Sequence, residues 1–192
     1  MRVFSTGSSD NDPDSSPDAL SGLARFLRQG VGQEWRAELE ATEFETHQHR
    51  LRRRTLRDVA GMLLHRGDRL TVHAGGLRLS GQLTSGGQDY VTITTKHLCA
   101  DVRLDMVALR VAKRNSGGAR AGGMPSTWRA RLTQMELTQE TVEVHAPSLG
   151  VAQAGKIRAV AVDHVWLVDT AGFDFYVPFE EISVVTRALS PY

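Results

Sequence analysis

Two spans of the chain repeat one pattern of apolar and polar positions. The first runs Val72-His73-Ala74, Gly81-Gln82-Leu83 and Asp89-Tyr90-Val91-Thr92-Ile93; the second runs Val144-His145-Ala146, Gly155-Lys156-Ile157 and Asp163-His164-Val165-Trp166-Leu167. From Gly81 to Ile93 the copies keep an ungapped offset of 74 residues, which identifies two small β units of one plan. The alternation predicts strands at 69–74, 77–83, 90–95, 101–104 and 107–111, and again at 141–146, 152–159, 164–169, 173–177 and 182–186. Gly75-Gly76, Gly86-Gly87 and Ala171-Gly172 supply turns, and Pro178 marks a strand break.

Helical spacing precedes each β unit. Leu56, Val59, Ala60 and Leu63 share one face, and Trp128, Leu132 and Met135 fall at i, i+4 and i+7 behind a Ser126 or Thr127 cap. At an offset of 72 residues these positions correspond, so the repeat includes a leading helix. The first leading helix closes a longer predicted one, from about Gln33 to His65, uninterrupted by proline or by glycine before Gly61. At about 1.5 Å per residue it is on the order of 50 Å long. Its middle, 45–54, is polar nearly all round, so the helix either bridges through solvent or meets a partner.

The remaining segments complete the plan. Residues 1–16 form an expected disordered tail, since 5–16 carry no large apolar side chain. Residues 17–66 form a helical region with the long basic helix, opening on a short helix that Ser16 and Pro17 start and Gly30 stops. A first barrel at 67–112, a glycine-rich flexible linker at 113–125 and a second barrel at 126–189 follow.

Composition narrows the class. With 41% apolar and 23% charged residues in 192, this is the make-up of a soluble globular protein, and a net charge of +1 favours no partner. The distribution is more informative: residues 1–49 hold nine acidic and four basic side chains, whereas Arg50, Arg52, Arg53, Arg54, Arg57 and Arg66 face only Asp58 in the next stretch. The single cysteine, Cys99, allows no internal disulfide, and the polar N-terminus lacks a secretory apolar run, so a cytoplasmic location is expected. No stretch approaches the roughly 18 apolar residues of a spanning helix, and no membrane association is expected.

A helix followed by five short strands closes economically as a small barrel. In the second unit Gly155, Asp163-His164-Val165, Val177-Pro178-Phe179 and Ile182 resemble the pattern of Sm-like barrels and their SH3-like relatives. Thr127-Trp128-Arg129-Ala130-Arg131-Leu132 with Asp163-His164-Val165 also resembles a group of actinobacterial two-barrel proteins of unassigned function. The resemblance spans roughly Leu56 to Arg187 and implies an α+β, mainly β fold: an N-terminal helical region, then two tandem small Sm/SH3-like β-barrels, each preceded by a helix. Sm-like proteins bind single-stranded RNA in rings, through a pocket resembling Asp-X-apolar-Asn with a later Arg-Gly. Here Asp89-Tyr90-Val91-Thr92 has no asparagine, Arg110 precedes Val111, and the second unit has Val184-Val185-Thr186. Pocket and ring therefore do not carry over, and the two barrels can instead pair as a built-in dimer.

Among side chains with chemistry, Arg50, Arg52, Arg53, Arg54 and Arg57 stand out. On one exposed helix they form a positive stripe suited to phosphates, to solvated pairing with Glu38, Glu40, Glu43 and Glu45 of the same helix, or to the acidic half of another chain. Trp35, on a largely polar helix, is a candidate interface anchor, while Trp128 and Trp166 are expected in the core. His47 and His49, two apart on a helix, point away from each other and share no metal ion. The recurring Asp89 and Asp163 are read as acids bonding turn amides. No phosphate-cradling loop, paired-cysteine site or nucleophile elbow is present, so no catalytic, metal or cofactor residue is assigned and no small-molecule substrate is inferred. The expected function is a non-enzymatic interaction or assembly module that associates with a protein partner or with itself through the long helix; the alternative is an RNA- or DNA-binding regulator using the arginines.

Overall fold

A computed structural model describes residue 35 and residues 38–115 and 127–189 of the chain. The expected tail, the short helix after Ser16 and most of the linker lie outside the described residues. The chain divides into two compact units, Met1–Arg53 and Arg54–Tyr192.

In the first unit, residues 38–52 form a helix, α1, and Trp35 is also helical. The single long helix expected to run on to His65 does not form. Helix α1 stops at 52, and Thr55 starts a separate helix, α2 (Leu56–Arg66), in the second unit. The cause is a capping box: the Thr55 hydroxyl accepts the Asp58 amide at 3.2 Å while the Asp58 carboxylate accepts the Thr55 amide at 2.8 Å. That reciprocal pair satisfies two amide donors that a helix start leaves open, and it outweighs the good helix propensity of the flanking arginines. Gly67, left-handed at φ 68°, closes α2 and leads into the first strand.

The second unit is mainly β. Ten strands, β1 (Arg69–Ala74), β2 (Leu77–Gly86), β3 (Tyr90–Thr94), β4 (Leu98–Arg103), β5 (Ala108–Lys113), β6 (Thr141–Ala146), β7 (Val151–Val160), β8 (His164–Asp169), β9 (Asp174–Pro178) and β10 (Val184–Ala188), form one antiparallel sheet. Helix α3 (Trp128–Thr138) precedes β6 as α2 precedes β1. Strand order is β5-β1-β2-β3-β4-β10-β6-β7-β8-β9, so the repeats are two five-stranded halves joined where β4 pairs with β10. The two closed tandem barrels expected from the sequence are not what the ladder forms: the sheet is open, and among the described residues β5 and β9 each pair on one side only.

The repeat extends to backbone irregularities. A bulge interrupts the β2–β3 ladder between Leu83 and Ser85 and the β7–β8 ladder between Ile157 and Ala159, at equivalent places. Just before each bulge the strands come so close that only glycine fits. A Cβ on Gly81 would stand 2.6 Å from the Thr94 carbonyl oxygen, and one on Gly155 would stand 3.0 Å from the Val168 carbonyl carbon. The shared Gly is therefore a packing requirement of the bend.

Each half has its own core. Leu63, Leu70, Leu83 and Ile93 centre the first; Leu132, Met135, Ile157 and Leu167 centre the second. The halves also exchange residues across the junction: Tyr90 of β3 is buried in the second core, and Val184 of β10 in the first.

Gly81→Ala and Gly155→Ala are each expected to destabilise the protein by about 1–3 kcal/mol in urea unfolding. Gly61→Ala on α2, where an added Cβ meets nothing within 4 Å, should instead stabilise by about 1 kcal/mol.

Candidate interaction surfaces

Of the two fully buried carboxylates of the second unit, Asp68 is held within the first half by Arg66 at 2.6 Å and the Asn115 amide at 2.8 Å, and Asp101 lies at the junction between the halves. On β4, Asp101 is fully buried; its carboxylate accepts from the Thr92 hydroxyl at 2.5 Å and from Arg131 Nε at 2.9 Å, and Arg187 Nη2 stands 3.9 Å away. Arg131 comes from the buried face of α3 and Arg187 from β10, so one carboxylate is held by two cations of the other half. Arg187 is further tied to Glu140 at 3.2 Å and to the Cys99 sulfur at 3.4 Å. Burial works against its charge, but these acceptors and Asp101 raise its pKa overall.

The same junction settles the recurring aspartates. Among the described residues the Asp89 side chain bonds no turn amide; Oδ1 accepts the first amide of α3, from Trp128, at 2.6 Å, a favourable place for an anion at a helix N-terminus. Above it the Tyr90 and Trp128 rings lie 6.1 Å apart, and burial pushes the Tyr90 phenol up to about 12. Asp163, the counterpart of Asp89, is exposed and bonded to His164 Nδ1 at 2.6 Å, which holds its carboxyl below the usual range. What recurs in both copies is the backbone contact: the carbonyl oxygens of Asp89 and Asp163 accept amides from Leu104 and Phe179, each at 2.8 Å.

These groups are held mainly by one another, although Trp128 Nε1 and Arg131 Nη2 are buried without a hydrogen-bond partner among the described residues. His145, nearby on β6, is also internal, 3.6 Å from Glu143 and 3.5 Å from the Thr186 hydroxyl. Burial lowers its pKa below the ordinary 6.5, although Glu143 pulls the other way. His73, at the equivalent place on β1, is exposed.

The outer end of the second half is different. Trp166, expected in the core, is only half-buried; its ring stacks on Tyr176 at 5.8 Å and its Nε1 donates to Asp174 at 2.8 Å. His164 meets the other edge of Tyr176 at 5.6 Å. Tyr176 on β9 and Phe173 just before it are 56% and 71% exposed, and β9 has an unpaired backbone edge among the described residues. Trp128, by contrast, is buried as expected.

The arginine segment is divided by the helix break. Arg50 and Arg52 are on α1, Arg53 and Arg54 fall in the non-helical turn, and Arg57 is on α2, so the five do not form a stripe on one helix. All five are exposed, and among the described residues none makes an ion pair, including with Glu38, Glu40, Glu43 or Glu45. Trp35 is 66% exposed. No helix among the described residues is long and apolar enough to cross a membrane. The chain matches no protein-family model, and no curated protein matches it.

Asp101→Ala leaves Arg131 buried without its carboxylate and is expected to cost about 3–5 kcal/mol in urea unfolding, whereas Asp101→Leu combined with Arg131→Met should cost much less. For His145 the depressed folded-state pKa means that stability is full above pH 6.5 and falls as pH drops below it, because the unfolded chain takes up the proton first. The loss is at most about 1.4 kcal/mol per pH unit, and a smaller loss between pH 7.5 and 5.5 in His145→Gln checks it.

Proposed function

We propose that this protein is a non-enzymatic, cytoplasmic interaction and assembly module whose two halves are Sm/SH3-like units, akin to the actinobacterial two-barrel proteins of unassigned function. The reading rests on one observation: the stacked pair of Trp166 on β8 and the exposed Tyr176 on the outer strand β9. Their neighbourhood is equivalent to one that is buried between the two halves at the centre of the sheet. Large aromatic side chains beside an unpaired strand edge are the equipment of protein recognition. Asp101, Arg131 and Arg187, in contrast, are engaged in joining the halves. The alternative is RNA or DNA binding through Arg50, Arg52, Arg53, Arg54 and Arg57, favoured by their exposure and lack of ion pairs among the described residues.

Two measurements separate these readings. For the module, light scattering over a concentration series and a pull-down from native cytosol should give a larger particle or a retained protein, lost on Tyr176→Ala with unchanged circular dichroism. Neither result, or one insensitive to Tyr176, removes the reading. For the alternative, affinity for RNA or DNA should fall with salt with a log–log slope of about −4 if five phosphates are neutralised; absence of binding at about 50 mM salt removes it.

A further inference from the structure

The two outer strands of the sheet are the positional counterparts of the two strands that meet in its middle. Val72 and Val144 are equivalent, and they pair with Leu109 of β5 and Val185 of β10; β5 therefore corresponds to β10. Thr92 and Trp166 are equivalent, and they pair with Asp101 of β4 and Tyr176 of β9; β9 therefore corresponds to β4. The joined pair β4·β10 thus has its unjoined copy in β9 at one end of the sheet and β5 at the other.

Side chains change together between the joined and the unjoined copies. Asp101, Arg131 and Arg187 form the buried ionic group of the middle. Their counterparts are Tyr176, Val59 and Val111: three charged positions have become one aromatic and two apolar ones. Tyr176 is 56% exposed and Val111 39% exposed, and Leu56, the counterpart of the buried Trp128, is 38% exposed. Solvent-facing positions have no need of such a concerted exchange. A buried contact does, because a buried charge group can be replaced only as a set, by apolar side chains that fill its place. Charge on the two ends is also complementary: Arg110 and Lys113 lie on β5 and Asp174 on β9.

We infer that the two ends are one interface, with β9 of one copy pairing antiparallel with β5 of a second copy in the register of β4 with β10. This rests on the module reading and names its partner as a second copy of this chain. In that register Ala108 faces Val177, Leu109 faces Tyr176, Arg110 faces Phe175 and Val111 faces Asp174. Val59 and Leu56 of the second copy stand over Tyr176 and His164 as Arg131 and Trp128 stand over Asp101 and Tyr90. The exposed Asp163 carboxylate takes the Leu56 amide, as Asp89 takes that of Trp128. Because each copy uses a different surface, the contact is head-to-tail, and further copies add until the rotation closes the assembly or leaves it open.

The test mixes two variants of the full chain, Val111→Cys and Asp174→Cys, each with one introduced cysteine beside the buried native Cys99, under mild oxidation, with the unmodified chain as the control for linkage through Cys99. Antiparallel neighbours lie about 4.5–5.5 Å apart at Cα, within disulfide reach. A linked dimer is expected from the mixture and not from either variant alone. In parallel, light scattering of the unmodified chain should show mass rising with concentration, and Tyr176→Lys should weaken that association at least tenfold without altering the thermal melt. A single-chain mass at every concentration, linkage of Asp174→Cys to itself as readily as to Val111→Cys, or association indifferent to Tyr176→Lys overturns the edge pairing. If the chain associates but the mixture does not link, the inference fails alone; if no partner of any kind depends on Tyr176, the module reading fails with it.

Discussion

The second unit depends on the antiparallel ladder between β4 and β10. Without it each half would end in a strand whose amides and carbonyls face water, and Asp101 would be a buried carboxylate with no cation. The ladder supplies the backbone partners, and α3 and β10 deliver Arg131 and Arg187 to one carboxylate in the same step. Tyr90 and Val184, each buried in the core of the opposite half, make the joint part of both cores. The halves therefore gain order from one another, which is why a repeat clear in the sequence appears as a single sheet. The ionic group matches the edge presenting Asp101 to the pair of arginines, and a buried ion pair of this kind is weak evidence for net stability.

How much of this could be read from the chain differs by element. The strands at Arg69–Ala74, Thr141–Ala146 and His164–Asp169 have the predicted bounds, because alternation with one buried face is a local signal. The repeated glycine, the αL stop at Gly67 and the Thr127 cap are also local, and each does in the fold what its residue type allows. The helix break was equally local but was hidden: Thr55 and Asp58 form a capping box inside a run of arginines whose helix propensity points the other way. Helix preference accumulates over many residues, while a cap acts at one, and here the cap decides.

The joint itself was not legible by pattern. Pairing of β4 with β10 brings together strands more than eighty residues apart, and nothing in either strand alone names the other. Asp101, Arg131 and Arg187 lie on three elements, so no spacing rule gathers them. A signal existed in the mismatches of the repeat: positions holding Asp, Arg and Arg at one edge hold Tyr, Val and Val at the equivalent edge. Trp166 was misplaced for the same reason. Its counterpart Thr92 is buried under the joint, whereas Trp166 lies at the end of the sheet, where nothing among the described residues covers it.

The asymmetry between the two kinds of edge follows from how each contact would form. Inside one chain the halves are tethered, so the joint forms at high effective concentration and can carry the desolvation cost of three charged side chains. A contact between separate molecules has no such tether and gives up translational and rotational freedom as well. Apolar and aromatic side chains suit that situation, since they gain from leaving water and lose little when left in it singly. The exposed Tyr176, Val111 and Leu56, beside strands whose outer edge is unpaired among the described residues, are the residues expected of a joint that must form between molecules, and Asp101, Arg131 and Arg187 those of one that forms within a molecule.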